Sequence, residues 1–294
     1  MWWMIDGASA ADAGEVETDP AMVVSIGAVT YLSAAVFHEG LGHELGCVIG
    51  GGRPTGFSLA VAGCEETTPG QHRWTSAGGA LGNLAAGSAF GATLALGHPR
   101  DGVVVDYLWL NTVTNLWQAG GYLMVGPWLP VGDWGSDGFL RDIDHPLPLQ
   151  LGLSLGGAAM TFATIPLAQH LGKPLFGADG TRSARGRWLT LLPYAGGSTL
   201  VVTGSLLNRA GPEFAVSAAV STFAGTLFLA YLPLFFSDDV WVPGQPYTGA
   251  PSPIERKPGW LVVSGVVALG AVTVLGPGVG AGFDRPHPLD PRRW

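Results

Sequence analysis

Pro20-Ala21-Met22-Val23-Val24-Ser25-Ile26-Gly27-Ala28-Val29-Thr30-Tyr31-Leu32-Ser33-Ala34-Ala35-Val36-Phe37 is a run of 18 residues without Asp, Glu, Lys or Arg. As a helix rising about 1.5 Å per residue it covers most of the ~30 Å hydrocarbon core of a bilayer. Outward from it the pattern recurs six more times, in Trp74–Pro99, Tyr107–Gly132, His145–Gly172, Trp188–Asn208, Phe214–Ser237 and Pro258–Phe283. A soluble fold hides one or two such runs, not seven in series. Spanning segments must also satisfy their own backbone polar groups, which leaves helices. The expected fold class is an all-α polytopic membrane protein, a bundle of about six or seven transmembrane helices. It leaves room for a short surface β-hairpin between the first two.

Composition agrees. The 294 residues include 14 basic and 22 acidic side chains, a net charge of −8, and only 12% are charged against roughly 25% in a soluble domain. That excludes a disordered chain and a basic nucleic-acid binder, and two cysteines are too few for a disulfide scaffold. The partners expected are the lipid bilayer and no nucleic acid, and the location is multi-pass in the plasma or inner membrane. The chain divides into an acidic tail (1–19), a three-helix core (20–144), additional transmembrane helices (145–283) and a C-terminal tail (284–294). An alternating patch, Phe57–Val61, marks a strand pair within Gly50–Arg73. Trp188, Trp241 and Trp260 lie near span ends, and most of the 11 tryptophans read as interfacial anchors. Counted by alternating loops, the basic residues fall seven to each side, so charge leaves the orientation open.

The first span ends in His38-Glu39-Gly40-Leu41-Gly42-His43-Glu44. Ionisable residues at membrane depth are costly and mark function. Two His and an adjacent Glu are the parts of a zinc peptidase, in which imidazoles bind metal and the carboxylate takes a proton from metal-bound water. The usual motif is HExxH. Here the His residues are five apart, HExxxH, and in a regular helix the second ring turns away from the first. Both reach one metal only across a widened, π-type turn, which Gly40 and Gly42 make inexpensive. The spacing resembles the HELLGH motif of the dipeptidyl peptidase III family.

The surroundings resemble the site-2 protease family of intramembrane zinc metalloproteases, over roughly residues 20–140. After His43-Glu44-Leu45-Gly46 come Gly50-Gly51-Gly52-Arg53-Pro54-Thr55-Gly56-Phe57-Ser58-Leu59, like that family's Gly-rich turn and surface strand pair. The next span opens with Ser76-Ala77-Gly78-Gly79-Ala80-Leu81-Gly82-Asn83, similar to its small-residue-plus-Asn helix. The resemblance implies a third ligand from an Asp in a Pro-containing DG motif, here within Pro127-Trp128-Leu129-Pro130-Val131-Gly132-Asp133-Trp134-Gly135-Ser136-Asp137-Gly138. Asp133 matches the Pro-to-Asp spacing and Asp137 the following Gly, with Asp133 preferred. On this reading His38, His43 and Asp133 (alternate Asp137) hold Zn2+, and Glu39 is the general base. The substrate is a transmembrane or membrane-proximal protein.

Plainer readings stand beside these. Asn111 and Asn115 serve either a substrate backbone or helix packing. Cys47 reads as a small buried residue rather than a ligand. Glu65, Glu66 and His72 read as solvated, and the Gly42, Gly46, Gly50 stripe as a packing face. A di-iron hydroxylase also uses an HX4H box but needs further His pairs, which the other five His do not form. The remaining alternative is a non-catalytic membrane protein with a degenerate protease-like core.

Overall fold

A computed structural model of the chain describes residues 16–97, 99–130, 132–177, 184–211, 214–234 and 250–283. Trp241, residues 1–15 of the acidic tail and the tail 284–294 lie outside the described residues. Helix α1 (Pro20–Gly50) begins where the Asp19 carboxylate accepts from the Met22 N–H at 2.9 Å, with Pro20 in the first turn where no donor is needed. It ends at Gly51, whose φ of 84° suits glycine, and the Gly52 N–H returns to the Cys47 carbonyl at 2.8 Å. Between these ends the helix is π-helical over Val36–His43, as the five-residue spacing of its imidazoles requires.

Strands β1 (Arg53–Phe57) and β2 (Ala62–Glu65) form an antiparallel hairpin in which Arg53 faces Glu65 and Phe57 faces Ala62. The expected strand pair is present, but Phe57–Val61 is not its body. Phe57 ends β1, and Ser58 closes a turn by accepting from the N–H groups of Ala60 and Val61. The turn thus owes its form to the Ser58 hydroxyl, not to the apolar alternation. A disulfide joins Cys47, near the end of α1, to Cys64 on β2. The reading of Cys47 as an unpaired apolar residue is therefore corrected.

Among the described residues six longer helices follow: α2 (Pro69–Gly97), α3 (Gly102–Val125), α4 (Leu147–Phe176), α5 (Ala184–Ser205), α6 (Phe214–Leu234) and α7 (Pro258–Leu275). Five of the seven, α1, α2, α4, α6 and α7, are long and apolar enough to cross a membrane. Helices α1 and α2 meet backbone to backbone: a Cβ on Gly46 would lie 2.3 Å from the Trp74 carbonyl oxygen, and one on Gly78 2.3 Å from that of Gly42. Small-residue contact thus sets the spacing of the two helices that carry the candidate site.

Helix α3 is the central post, capped by Asp101 and packed between α1, α2 and α4. Trp109 and Trp117 on it are fully buried, their indoles donating to the Ala168 and Thr161 carbonyls of α4. These two are core residues and so are not among the tryptophans that read as interfacial anchors; Trp188 is half exposed. Asn111 is also fully buried and bonds Thr30 and Ser33 of α1, so it packs helices together.

Candidate metal centre

The widened turn places His38 and His43 on one side of α1, their ring centroids 4.9 Å apart and nearly perpendicular. Each ring is fixed from behind. The Nδ1 of His43 donates to the Thr75 backbone carbonyl at 2.7 Å. The Nδ1 of His38 lies 2.5 Å from Asn83 Oδ1, and since Asn83 Nδ2 donates to Asn115 Oδ1 at 2.8 Å, Oδ1 is the acceptor. Both imidazoles therefore spend their N–H on α2 and turn the Nε2 lone pair into the site, the usual arrangement of metal-ligating His.

The third group comes from the loop after α3. Asp133 Oδ2 lies 2.9 Å from His38 Nε2, and Oδ1 lies 3.4 Å from His43 Nε2. Ligand atoms around one zinc at about 2.0–2.2 Å stand roughly 3.3–3.6 Å apart at tetrahedral angles, so the three groups are close to bridging distance. Two Nε2 lone pairs facing a carboxylate are acceptors only, and a cation or an added proton must sit among them. Space is left by Gly79 of α2, where a Cβ would lie 2.6 Å from His43 Nε2 and 2.7 Å from His38 Nε2. The donor set and this gap fit a zinc ion.

Glu39 is buried beside the cluster, its Oε2 3.8 Å from His43 Nε2. Asp137 is exposed and outside the group that can share one ion. The loop that carries both aspartates turns at Gly132, just before Asp133, with φ 90°, against the Tyr122 hydroxyl, which accepts from the Asp133 N–H at 3.4 Å. Asp137 instead offers its backbone carbonyl to His72 Nε2 at 2.8 Å, while His72 Nδ1 bonds Glu66 at 2.7 Å. Glu66 and His72 are thus partnered rather than solvated, and they tie the Asp133 loop to the start of α2. Burial pushes the Glu66 carboxyl up, but hydrogen bonds from His72 and Thr75 prevail and hold it below its ordinary range. Glu65 is exposed, with Arg53 at 3.7 Å, as expected.

Sequence reasoning missed Thr75, Gly79, Gln118 and Tyr122. Gln118 donates to Ser221 on α6 and lies by Asn83 at 3.4 Å, extending the polar support across three helices. The only signal for it was a polar stripe on α3, one to two turns apart, at Asn111, Asn115 and Gln118. Phe57, on β1, lies over the widened turn: a Cβ on Gly40 would meet its ring at 2.8 Å. Comparison with protein-family models, curated proteins and solved structures finds no match to this chain.

Proposed function

We propose that the protein is a multi-pass membrane zinc endopeptidase, six or seven of its helices spanning the bilayer and holding a hydrolytic centre built from His38, His43, Asp133 and Glu39. The observation that carries this reading is the convergence of two Nε2 lone pairs and a carboxylate on the gap left by Gly79, with a second carboxylate at its edge. A structural cluster has no need of Glu39 at that edge, whereas a hydrolase does. Zinc held by the three ligands supplies a Lewis acid that acidifies a water molecule.

Glu39 takes a proton from the attacking water as its oxygen adds to the scissile carbonyl carbon. It then delivers that proton to the amine nitrogen as the C–N bond breaks. Asn83 and the Thr75 carbonyl hold the imidazoles in the tautomer that leaves Nε2 available. The resemblance to site-2 proteases supports a transmembrane or membrane-proximal polypeptide as substrate.

The test is elemental analysis of the purified full chain, with cleavage of quenched-fluorescence peptides derived from transmembrane helices. Wild type is expected to hold one zinc per chain and cleave; His38→Ala to lose both; Glu39→Gln to keep zinc and lose cleavage. A zinc-free wild type, or undiminished cleavage in Glu39→Gln, overturns the proposal. Zinc retained without any cleavage in wild type favours the degenerate, non-catalytic reading.

A further inference from the structure

The bundle has two distinguishable ends. One gathers the start of α1, α3, α5 and α7 and the end of α2 and α4. Asp19 there bonds the Ile254 carbonyl, Lys257 pairs with Asp101, and Arg185 donates to the Ser252 carbonyl. The other end gathers the hairpin, the Asp133 loop, Asn208 after α5 and the segment after α7. Asn208 donates there to Ser58, Phe57 and Val279 exchange backbone hydrogen bonds, and His72 bonds Asp137. Nothing in the seven-to-seven division of basic residues tells which end faces the cytosol.

The disulfide breaks that tie. Cys47–Cys64 lies at the hairpin end, and a structural disulfide persists where the compartment is oxidising, not in a reducing cytosol. We infer that the hairpin end faces an oxidising, extracytoplasmic compartment, and that the metal centre takes its substrate from that side.

Depth decides which side serves the centre. His43 precedes the helix end at Gly50 by seven residues, about 10 Å of helix, whereas His38 stands 18 residues from Pro20, roughly 27 Å. Asp133 also enters from the hairpin end, on a loop whose neighbours Ser136 and Asp137 are exposed. The site is thus shallow from the oxidising side and deep from the cytosolic one. Resting on the peptidase reading only for the word substrate, the inference makes the substrate class an extracytoplasmic or outer-leaflet stretch of a polypeptide.

The test uses the full chain in intact host cells (spheroplasts for a bacterial host) and a membrane-impermeant maleimide carrying polyethylene glycol. Arg141→Cys at the hairpin end and Arg256→Cys at the other replace side chains 60% and 65% exposed. Arg141→Cys is expected to gain one tag in intact cells, and Arg256→Cys only after detergent. The parent chain should take no tag, even denatured, until dithiothreitol adds two. Reversed labelling, labelling of both variants in intact cells, or two free thiols in the unreduced parent each overturns the inference. None of these readouts needs zinc or cleavage, so a failed topology leaves the peptidase reading standing, and the converse holds.

Discussion

Asn83 Oδ1 accepts from His38 Nδ1 at 2.5 Å, across the interface of the two helices whose glycines bring them into contact. The amide is itself immobilised by Asn115, so the ring cannot rotate without breaking a chain of buried hydrogen bonds. Partners of this kind orient the ligand and raise its basicity, and losing one costs about 10–100-fold in metal affinity. Asn83→Ala is therefore expected to weaken zinc binding by about that factor in a chelator competition. Asn111→Ala, which removes an equally buried Asn that touches neither imidazole, should leave the affinity unchanged.

Gly79 makes a sharper prediction. Its missing side chain is the space into which both Nε2 atoms point, with a Cβ falling 2.6–2.7 Å from them. Gly79→Ala should reduce zinc to near zero while the helix gains about 1 kcal/mol of intrinsic propensity. The neighbouring Gly78→Ala pushes instead on the Gly42 carbonyl, 2.3 Å away, so it should lower the thermal midpoint. Elemental analysis beside melting curves separates the two; equal zinc loss and equal melting in both variants would refute the distinction.

The helical class and the site's first helix were readable because the bilayer punishes error: charge-free runs are unmistakable, and a buried His-Glu pair at the end of one is too costly to be idle. The widened turn also followed, since five residues between ligands do not close on one face of an α-helix. The third member of the cluster followed only as a preference for Asp133 over Asp137. Asp133 and Asp137 share the same loop and the same prolines, and what separates them is the turn at Gly132 against Tyr122, a contact between segments ten residues apart. The disulfide was hidden because pairing needs the hairpin register, which sets Cys64 against Pro54 and folds it back over the end of α1. Helix α3 reads weakly in hydropathy for a related reason: at the centre of the bundle its Asn and Gln side chains satisfy one another and neighbouring helices rather than facing lipid.

The Cys47–Cys64 link closes a loop of 17 residues, for which chain-entropy arguments give about 3 kcal/mol. Cys64→Ser should lower the thermal midpoint and loosen the hairpin that lays Phe57 over the widened turn. The Cys47→Ser, Cys64→Ser double variant should melt with the single one, because one bond is lost either way. Dithiothreitol should bring wild type to the same midpoint and leave both variants unmoved. Additive losses in the double variant would contradict this.

Among the described residues, Asp106 is the one buried carboxylate outside the candidate metal centre. It is fully buried in α3, and neither oxygen has a hydrogen-bond partner among the described residues. Arg185 exerts only an electrostatic pull, its guanidinium donating to the carbonyls of Val16 and Ser252. An unpaired carboxyl in such a place costs on the order of 1–3 kcal/mol, and apolar replacement of similar volume is often neutral or stabilising. Asp106→Leu is therefore expected to raise the thermal midpoint. Twelve residues separate Asp106 from Gln118, about 18 Å along the helix, so zinc content and cleavage should stay at wild-type levels. Asp106→Asn, which keeps polar atoms in the same unpartnered position, should stabilise less than Leu. A drop in the midpoint of Asp106→Leu together with lost cleavage would assign the carboxyl a working role that its surroundings do not display, and would count against treating this end of α3 as purely structural.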